Sequence, residues 1–263
     1  MARSALLNVM TAAAMKAGRG LSRDFGEVQN LQVSMKGPGD FVSAADRKAE
    51  GVIRAELQRA RPEFGMLLEE SGVVQGSDPQ NRWIVDPLDG TTNFLHGIPI
   101  FGVSIALERE GQIVAGVVYN PAMDELYTAE RGGGAYMNDH RLRVAGRKEM
   151  ADCVVGTGIP HLGKRNHSVF LEQQRRMMLE VSGVRRMGAA ALDLCYVAAG
   201  RLDGFWEAGL SPWDTAAGIL MVRESGGYVT DYDGGNAIFE SGTIIAGNEV
   251  IQKKIRETIT ATS

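Results

Sequence analysis

The sequence predicts an α/β or α+β chain built in layers. Three observations carry that expectation. Apolar runs of strand length recur in both halves, segments of helical periodicity alternate with them, and two pairs of apolar runs are joined by turn-forming residues. With 263 residues the chain is long enough for a large core, as one big α/β domain or two fused halves.

Residues 1–20 read as a helix with Leu6, Leu7 and Met10 on one face. Residues 44–60 have the same period, with Ala45, Ala49, Val52, Ile53 and Leu57 on one side. Gly65–Leu68 and Trp83–Val85 are short apolar runs that fit buried strands. Gly102–Leu107 and Ile113–Tyr119, joined by Glu-Arg-Glu-Gly, form a hairpin signal. Leu126–Ala129 and Ala135–Met137 around Arg-Gly-Gly-Gly form another. The chain turns polar over 141–152, which divides it into halves of about 1–148 and 149–263. The second half reads as a strand at Cys153–Gly156, then helices at Asn166–Glu180 and Ala189–Ala199, the latter stopped by Gly200. A helix at Thr215–Ser225, strands at Tyr228–Thr230 and Thr243–Ala246, and a helix over 248–262 complete the chain.

Composition narrows the function. Apolar residues make up 44% and charged residues 23%, ordinary for a globular protein. A formal net charge of -4 argues against a broad electrostatic grip on nucleic acid, although Arg185 and Arg186 are adjacent. No apolar run approaches the roughly 20 residues that span a bilayer. The N-terminus lacks the apolar length of a signal peptide. Cys153 and Cys195 both sit among apolar neighbours, as buried free thiols do in a reducing compartment. A cytoplasmic protein is expected. The four histidines are scattered, and no Cys/His cluster has zinc spacing.

The chemistry lies in carboxylates. In Trp83-Ile-Val-Asp-Pro-Leu-Asp-Gly-Thr-Thr-Asn93 an apolar strand runs into Asp86, Pro87 stiffens the chain, and Asp89 and Gly90 follow. Two acids at the end of a buried strand are costly unless neutralised, and a hard dication such as magnesium neutralises them. An Asx-type turn capping a helix is the competing reading. Glu69-Glu70 follows Met66-Leu67-Leu68, a weak signal alone, for which an exposed loop is the plainer reading. Asp214, in Ser211-Pro-Trp-Asp214, and Asp46, in Ser43-Ala-Ala-Asp46, both sit at helix starts, where capping is the plain role. Metal-assisted phosphoryl transfer accounts for all four elements together.

The stretches GDFVSAAD, LLEESG, WIVDPLDGTTNFLHGIPIFGVSIAL and SPWDTAAGILMVRESGG resemble the inositol monophosphatase family in order and spacing, from Lys36 to Asn248. The resemblance implies an αβαβα five-layer sandwich of the inositol monophosphatase / fructose-1,6-bisphosphatase type, formed as one unit over 1–263 and usually a homodimer. It implies two or three Mg2+ ions held by Glu69, Asp86, the Leu88 carbonyl, Asp89 and Asp214. Asp46 and Thr91 would hold the attacking water, with Glu69 as a further catalytic residue. Leu88, Asp89, Gly90, Thr91 and Asp214 would face the phosphate. Gly188, Ala189, Ala190 and Glu207, with Arg185 beside them, would face the alcohol. Lys36, in Ser-Met-Lys-Gly-Pro-Gly-Asp, would lie in a flexible loop near the metals.

Two departures stand out. Ala189 replaces a hydroxyl residue of animal members, and the Glu69–Asp86 interval is short, as in bacterial members. The activity implied is lithium-sensitive inositol-1-monophosphatase. Alternatives are a related phosphatase acting on histidinol phosphate, fructose 1,6-bisphosphate or a 3′-phosphonucleotide, or a bacterial member with a transcription antitermination role involving RNA polymerase.

Overall fold

The computed structural model describes residues 4–27, 33–37, 40–160, 163 and 166–261, with the backbone alone for 33–37 and 40–43. Its helices, in chain order, are α1 (Ala5–Phe25), α2 (Ala44–Ala60), α3 (Thr91–Leu95), α4 (His167–Glu180), α5 (Ala190–Ala198), α6 (Pro212–Glu224), α7 (Ile238–Ser241) and α8 (Glu249–Thr260). Strands β1 (Val33–Gly37) and β2 (Asp40–Ser43) pair as a small antiparallel sheet. Lys36, expected in a flexible loop, is therefore on a strand, and its side chain lies outside the described residues.

A large sheet follows: β3 (Phe64–Leu68), β4 (Gly72–Val74), β5 (Asp78–Asp89), β6 (Gly102–Arg109), β7 (Gln112–Asn120), β8 (Glu125–Glu130), β9 (Gly134–Met137) and β10 (His140–Arg141). Its order is β10-β9-β8-β7-β6-β5-β3-β4. The second half supplies β11 (Val154–Thr157), β12 (Gly183–Arg185), β13 (Gly204–Ala208), β14 (Tyr228–Thr230) and β15 (Thr243–Gly247), in the order β12-β11-β13-β15-β14.

Side-chain alternation explains the layering. On β5 and β6, Trp83, Val85, Val103, Ile105 and Leu107 point to one face of the large sheet and Ile84 and Ala106 to the other. The first face packs on α1 and α2, whose Leu7, Met10, Ala14, Leu21, Ile53 and Leu57 recur at helical spacing. Ser4 starts α1 by accepting the Leu7 N–H at 3.2 Å. The opposite face packs on α5 and α6, which also cover Phe205, Ile244 and Ala246 of the small sheet. Beyond that sheet, Trp206 and Ile245 meet Met177 of α4 and Ile251 and Ile255 of α8. The order is helix, sheet, helix, sheet, helix, the expected five layers. Burial on both faces is why the strands read as near-continuous apolar runs.

Local boundaries moved for identifiable reasons. The Trp83–Val85 run is the centre of a twelve-residue strand that carries Pro87 through a register irregularity. Helix α6 begins at Pro212, three residues before the expected Thr215, because Ser211 caps it and Pro is favoured at the first position. Helix α5 ends where the sequence places it, with Gly200 at φ 68°.

Candidate active site

Parallel pairing of β3 with β5 sets Leu68 opposite Val85. Glu69 and Asp86, the residues that follow, emerge side by side, and the Glu69 N–H donates to the Val85 carbonyl at 3.2 Å. Carboxyl ends of strands in open α/β sheets are where such folds bind ligands. Glu50, on the buried face of α2 with Asp46 one turn before it, steadies the turn that carries Glu69. Its carboxylate accepts the Glu70 N–H at 2.8 Å, the Ser71 N–H at 3.4 Å and the Ser71 hydroxyl.

On β5, pairing with β6 loses register between Asp86 and Asp89, so the Pro87–Leu88 segment bulges. Asp86 Oδ1 accepts the Leu88 N–H at 2.9 Å and fixes that bulge. Asp89 reaches the second half of the chain, where its Oδ2 accepts the Ala191 N–H at 2.7 Å at the start of α5. Gly90 adopts φ 87° and caps α3. A Cβ there would stand 2.8 Å from the Ile100 carbonyl oxygen, so only glycine fits. Thr91 Oγ1 donates to the Leu88 carbonyl at 2.9 Å and lies 3.5 Å from Asp46 Oδ2. Asn93 Nδ2 donates to the carbonyls of Ile100 and Met187 at 2.8 and 2.7 Å, tying the two halves together beside the site.

Asp214 is the third residue of α6, not its cap. Ser211 is the cap, and Asp214 Oδ2 accepts the Ser211 N–H at 2.7 Å in a reciprocal capping box. Asp46 likewise lies inside the first turn of α2 and is buried. The plain capping reading thus accounts for one oxygen of Asp214 and leaves its charge in the cleft.

These elements enclose a cleft of about 500 Å³. Glu69, Asp89, Gly90, Thr91, Gly188, Ala189, Ala190, Glu207 and Asp214 line it, all of them singled out in the sequence. Asp86 is buried next to Glu69, Asp89 and Asp214. Arg185 is not at the cleft. It is exposed at the end of β12, with Nη1 donating to the Val184 carbonyl at 3.0 Å, and Arg186 lines the cleft in its place. Neighbours in extended chain point to opposite sides, so one residue of displacement reverses the assignment.

The acids strain against one another. Burial pushes the Asp86 carboxyl well above the usual carboxylate range, and the charges of Glu69, Asp89 and Asp214 add to it. Asp89 is pushed up to about 8 by burial and then by Asp214, while the backbone N–H groups of Ala191 and Ala190 pull the other way. Among the described residues, no three His, Cys, Asp or Glu side chains are already closed to metal-ligand spacing. The fit to a metal rests on the donor set: Glu69, Asp89 and Asp214 line the cleft, Asp86 is buried within reach of their charges, and all four offer hard carboxylate oxygens. Such a set suits a hard dication.

A family model described as the inositol monophosphatase family matches residues 2–263. The chain belongs to the inositol monophosphatase family. It is a phosphatase, and the layered fold is that of its relatives. An inositol-1-monophosphatase of Mesorhizobium japonicum is 70% identical over 98% of this chain and 97% of its own. The crystal structure of the extragenic suppressor protein suhB from Bartonella henselae matches with a TM-score of 0.97 and 63% identity, covering 99% of this chain and all of that one. A Vibrio cholerae protein named Nus factor SuhB is 42% identical over 96% of both chains. No helix among the described residues is long and apolar enough to cross a membrane.

Sequence reasoning missed Glu50, Asn93 and Arg186. Glu50 stands four residues after Asp46, on the same helical face, and that spacing was a usable signal. Asn93 depends on contacts between the halves, Arg186 on which side of a strand end it faces, and neither left a signal.

Proposed function

We propose that this family member is a Mg2+-dependent phosphomonoesterase that hydrolyses inositol 1-phosphate to inositol and phosphate. The observation that supports it most is the make-up of the cleft. Glu69, Asp89 and Asp214 line it with Asp86 buried beside them, and Glu207, Gly188, Ala189 and Ala190 line the same cleft. Glu69, Asp86, the Leu88 carbonyl, Asp89 and Asp214 would hold two or three magnesium ions. Bound there, magnesium supplies positive charge that activates water and offsets charge building on the phosphoryl oxygens. Asp46 and Thr91 orient the attacking water, and Asp46 takes its proton. Backbone N–H groups of Gly90 and Thr91, at the start of α3, face the phosphate. An ionised Glu207 accepts hydrogen bonds from hydroxyls of the leaving alcohol, as a neutral polyol offers them.

The test is a panel of kcat/KM values for inositol 1-phosphate, histidinol phosphate, fructose 1,6-bisphosphate and a 3′-phosphonucleotide, in magnesium and in EDTA. Inositol 1-phosphate is expected to lead, activity to vanish in EDTA and return with magnesium, and lithium to inhibit. A tenfold lead for histidinol phosphate, about 1.4 kcal/mol of transition-state preference, would displace the substrate assignment. Full activity without metal would displace the mechanism. A second reading adds a Nus-factor role in transcript antitermination, favoured by the name of the Vibrio relative. Retention of RNA polymerase on the immobilised protein tests it. The remaining expectations, a cytoplasmic homodimer whose halves form one folding unit over 1–263, are part of the same proposal. Sedimentation and a single cooperative unfolding transition test the assembly.

A further inference from the structure

Arg186 differs in sign from the rest of the cleft. Glu69, Asp89, Glu207 and Asp214 make the lining acidic, and Arg186 is the one cation among the described residues that line it. It follows β12 by one residue, in the turn that reverses at Gly188. Gly188 has φ 85°, and a Cβ there would overlap the Arg186 guanidinium at Nη1 and approach Asn93 Nδ2 at 3.2 Å. The missing side chain at Gly188 is therefore the space in which the guanidinium lies, against the wall of the cleft.

An arginine beside several carboxylates is ordinarily drawn into a forked ion pair. Among the described residues Arg186 has no hydrogen-bonded or ion-paired partner. Its charge is nevertheless felt by Asp193, a buried residue in the first turn of α5 whose Oδ1 has no hydrogen-bond partner among the described residues. Burial pushes the Asp193 carboxyl up, Glu207 and then Asp89 push further, and Arg186 pulls it back. Arg186 and Glu207 thus act on one buried carboxyl and line the same cleft.

Together they offer two complementary sets of groups. A guanidinium presents five N–H donors and no acceptor, and an ionised carboxylate presents acceptors only. A hydroxyl both donates and accepts, so neighbouring hydroxyls on a ring satisfy both. An ammonium or imidazolium group satisfies Glu207 and is repelled by Arg186. A second phosphate satisfies Arg186 and is repelled by Glu207. We propose that Arg186 is a specificity-determining residue that, with Glu207, fits the cleft to a neutral, hydroxyl-rich leaving group and rejects a cationic one. The inference rests on the reading of Glu207 as an alcohol-side residue given above. It separates the polyol ester from histidinol phosphate, a choice that Glu207 alone leaves open.

The test compares wild type, Arg186→Met and Arg186→Lys in magnesium, with inositol 1-phosphate, histidinol phosphate and fructose 1,6-bisphosphate as substrates. Each kcat/KM is divided by the same variant's value for inositol 1-phosphate, so that a general change in activity cancels. Arg186→Met is expected to raise the histidinol phosphate ratio at least tenfold and lower the bisphosphate ratio by a similar factor, about 1.4 kcal/mol each. Arg186→Lys, which keeps the charge, is expected to stay near the wild-type ratios. Added salt is expected to compress the differences in wild type and to have less effect on Arg186→Met, because screening acts on the charge that variant has lost. Ratios unchanged in Arg186→Met overturn the inference and leave the proposed phosphatase standing. A wild type that hydrolyses none of these esters in magnesium removes the proposed function, and this inference with it.

Discussion

Asp214 carries two duties that one pair of substitutions separates. Its Oδ2 accepts the Ser211 N–H at 2.7 Å, and its charge raises the carboxyls of Asp86 and Asp89. Asparagine keeps an acceptor for Ser211 and drops the charge, whereas alanine drops both. Loss of such a cap costs about 1 kcal/mol. For a chain of this size that is roughly 2–4 °C in melting temperature. In EDTA, Asp214→Asn is expected to melt at or above wild type, because repulsion of Asp86 and Asp89 is relieved. Asp214→Ala is expected to melt about 2–4 °C below the asparagine variant. With magnesium, both variants are expected to lose activity together. A lost metal ligand forfeits several kcal/mol of transition-state stabilisation, which corresponds to roughly 10²–10⁴ in kcat. Scanning calorimetry in EDTA and steady-state kinetics in magnesium provide the two readouts. An asparagine variant that turns over within a few-fold of wild type would show that Asp214 serves only the capping box.

Other expectations follow from the same geometry. Glu50→Ala removes a buried acceptor of two backbone N–H groups and a hydroxyl, and is expected to cost about 2–3 kcal/mol and weaken magnesium affinity by roughly 10–100-fold. An unchanged magnesium half-saturation in the folded variant would contradict the positioning role. Magnesium at about 100 times its dissociation constant is expected to stabilise the protein by ~2.7 kcal/mol, reversibly with EDTA; a melting temperature indifferent to magnesium would argue against a site of this kind. Burial pushes the Cys153 thiol up to about 11, and Cys195 is raised by burial too. At pH 8 the Cys153 thiolate is on the order of one part in a thousand. Iodoacetamide is therefore expected to spare both thiols until the protein is unfolded, and rapid labelling of the native chain would refute this.

What the sequence disclosed and what it hid differ in kind. Asp86 and Asp89 were legible because Pro87 and Gly90 punctuate the chain around them, and their costs in a buried strand end follow from charge alone. The apolar runs of β6, β7, β8, β9 and β15 were legible because period and length agree. The strand β4 is three residues long and gave no periodic signal. The strands β1 and β2 were hidden by the Gly37-Pro38-Gly39 sequence at and between their ends, which reads as a loop. The sign of Arg185 against Arg186 is a matter of parity at a strand end, and no local pattern fixes it. Asn93 acts by joining Ile100 to Met187, ninety-four residues away from it, and nothing within hydrogen-bonding range in sequence announces that contact.

The middle layer has a consequence for synthesis. The large sheet is complete at Arg141, but the helices that cover its inner face are α5 and α6, at Ala190–Ala198 and Pro212–Glu224. On a ribosome adding roughly 5–20 residues per second, Ile84, Ala106, Val118 and Tyr127 wait uncovered for several seconds while the covering helices are made. During that interval the nascent chain presents a water-exposed oily surface to chaperones and to other nascent chains. A pause in translation before the covering helices have left the ribosome would lengthen this exposure.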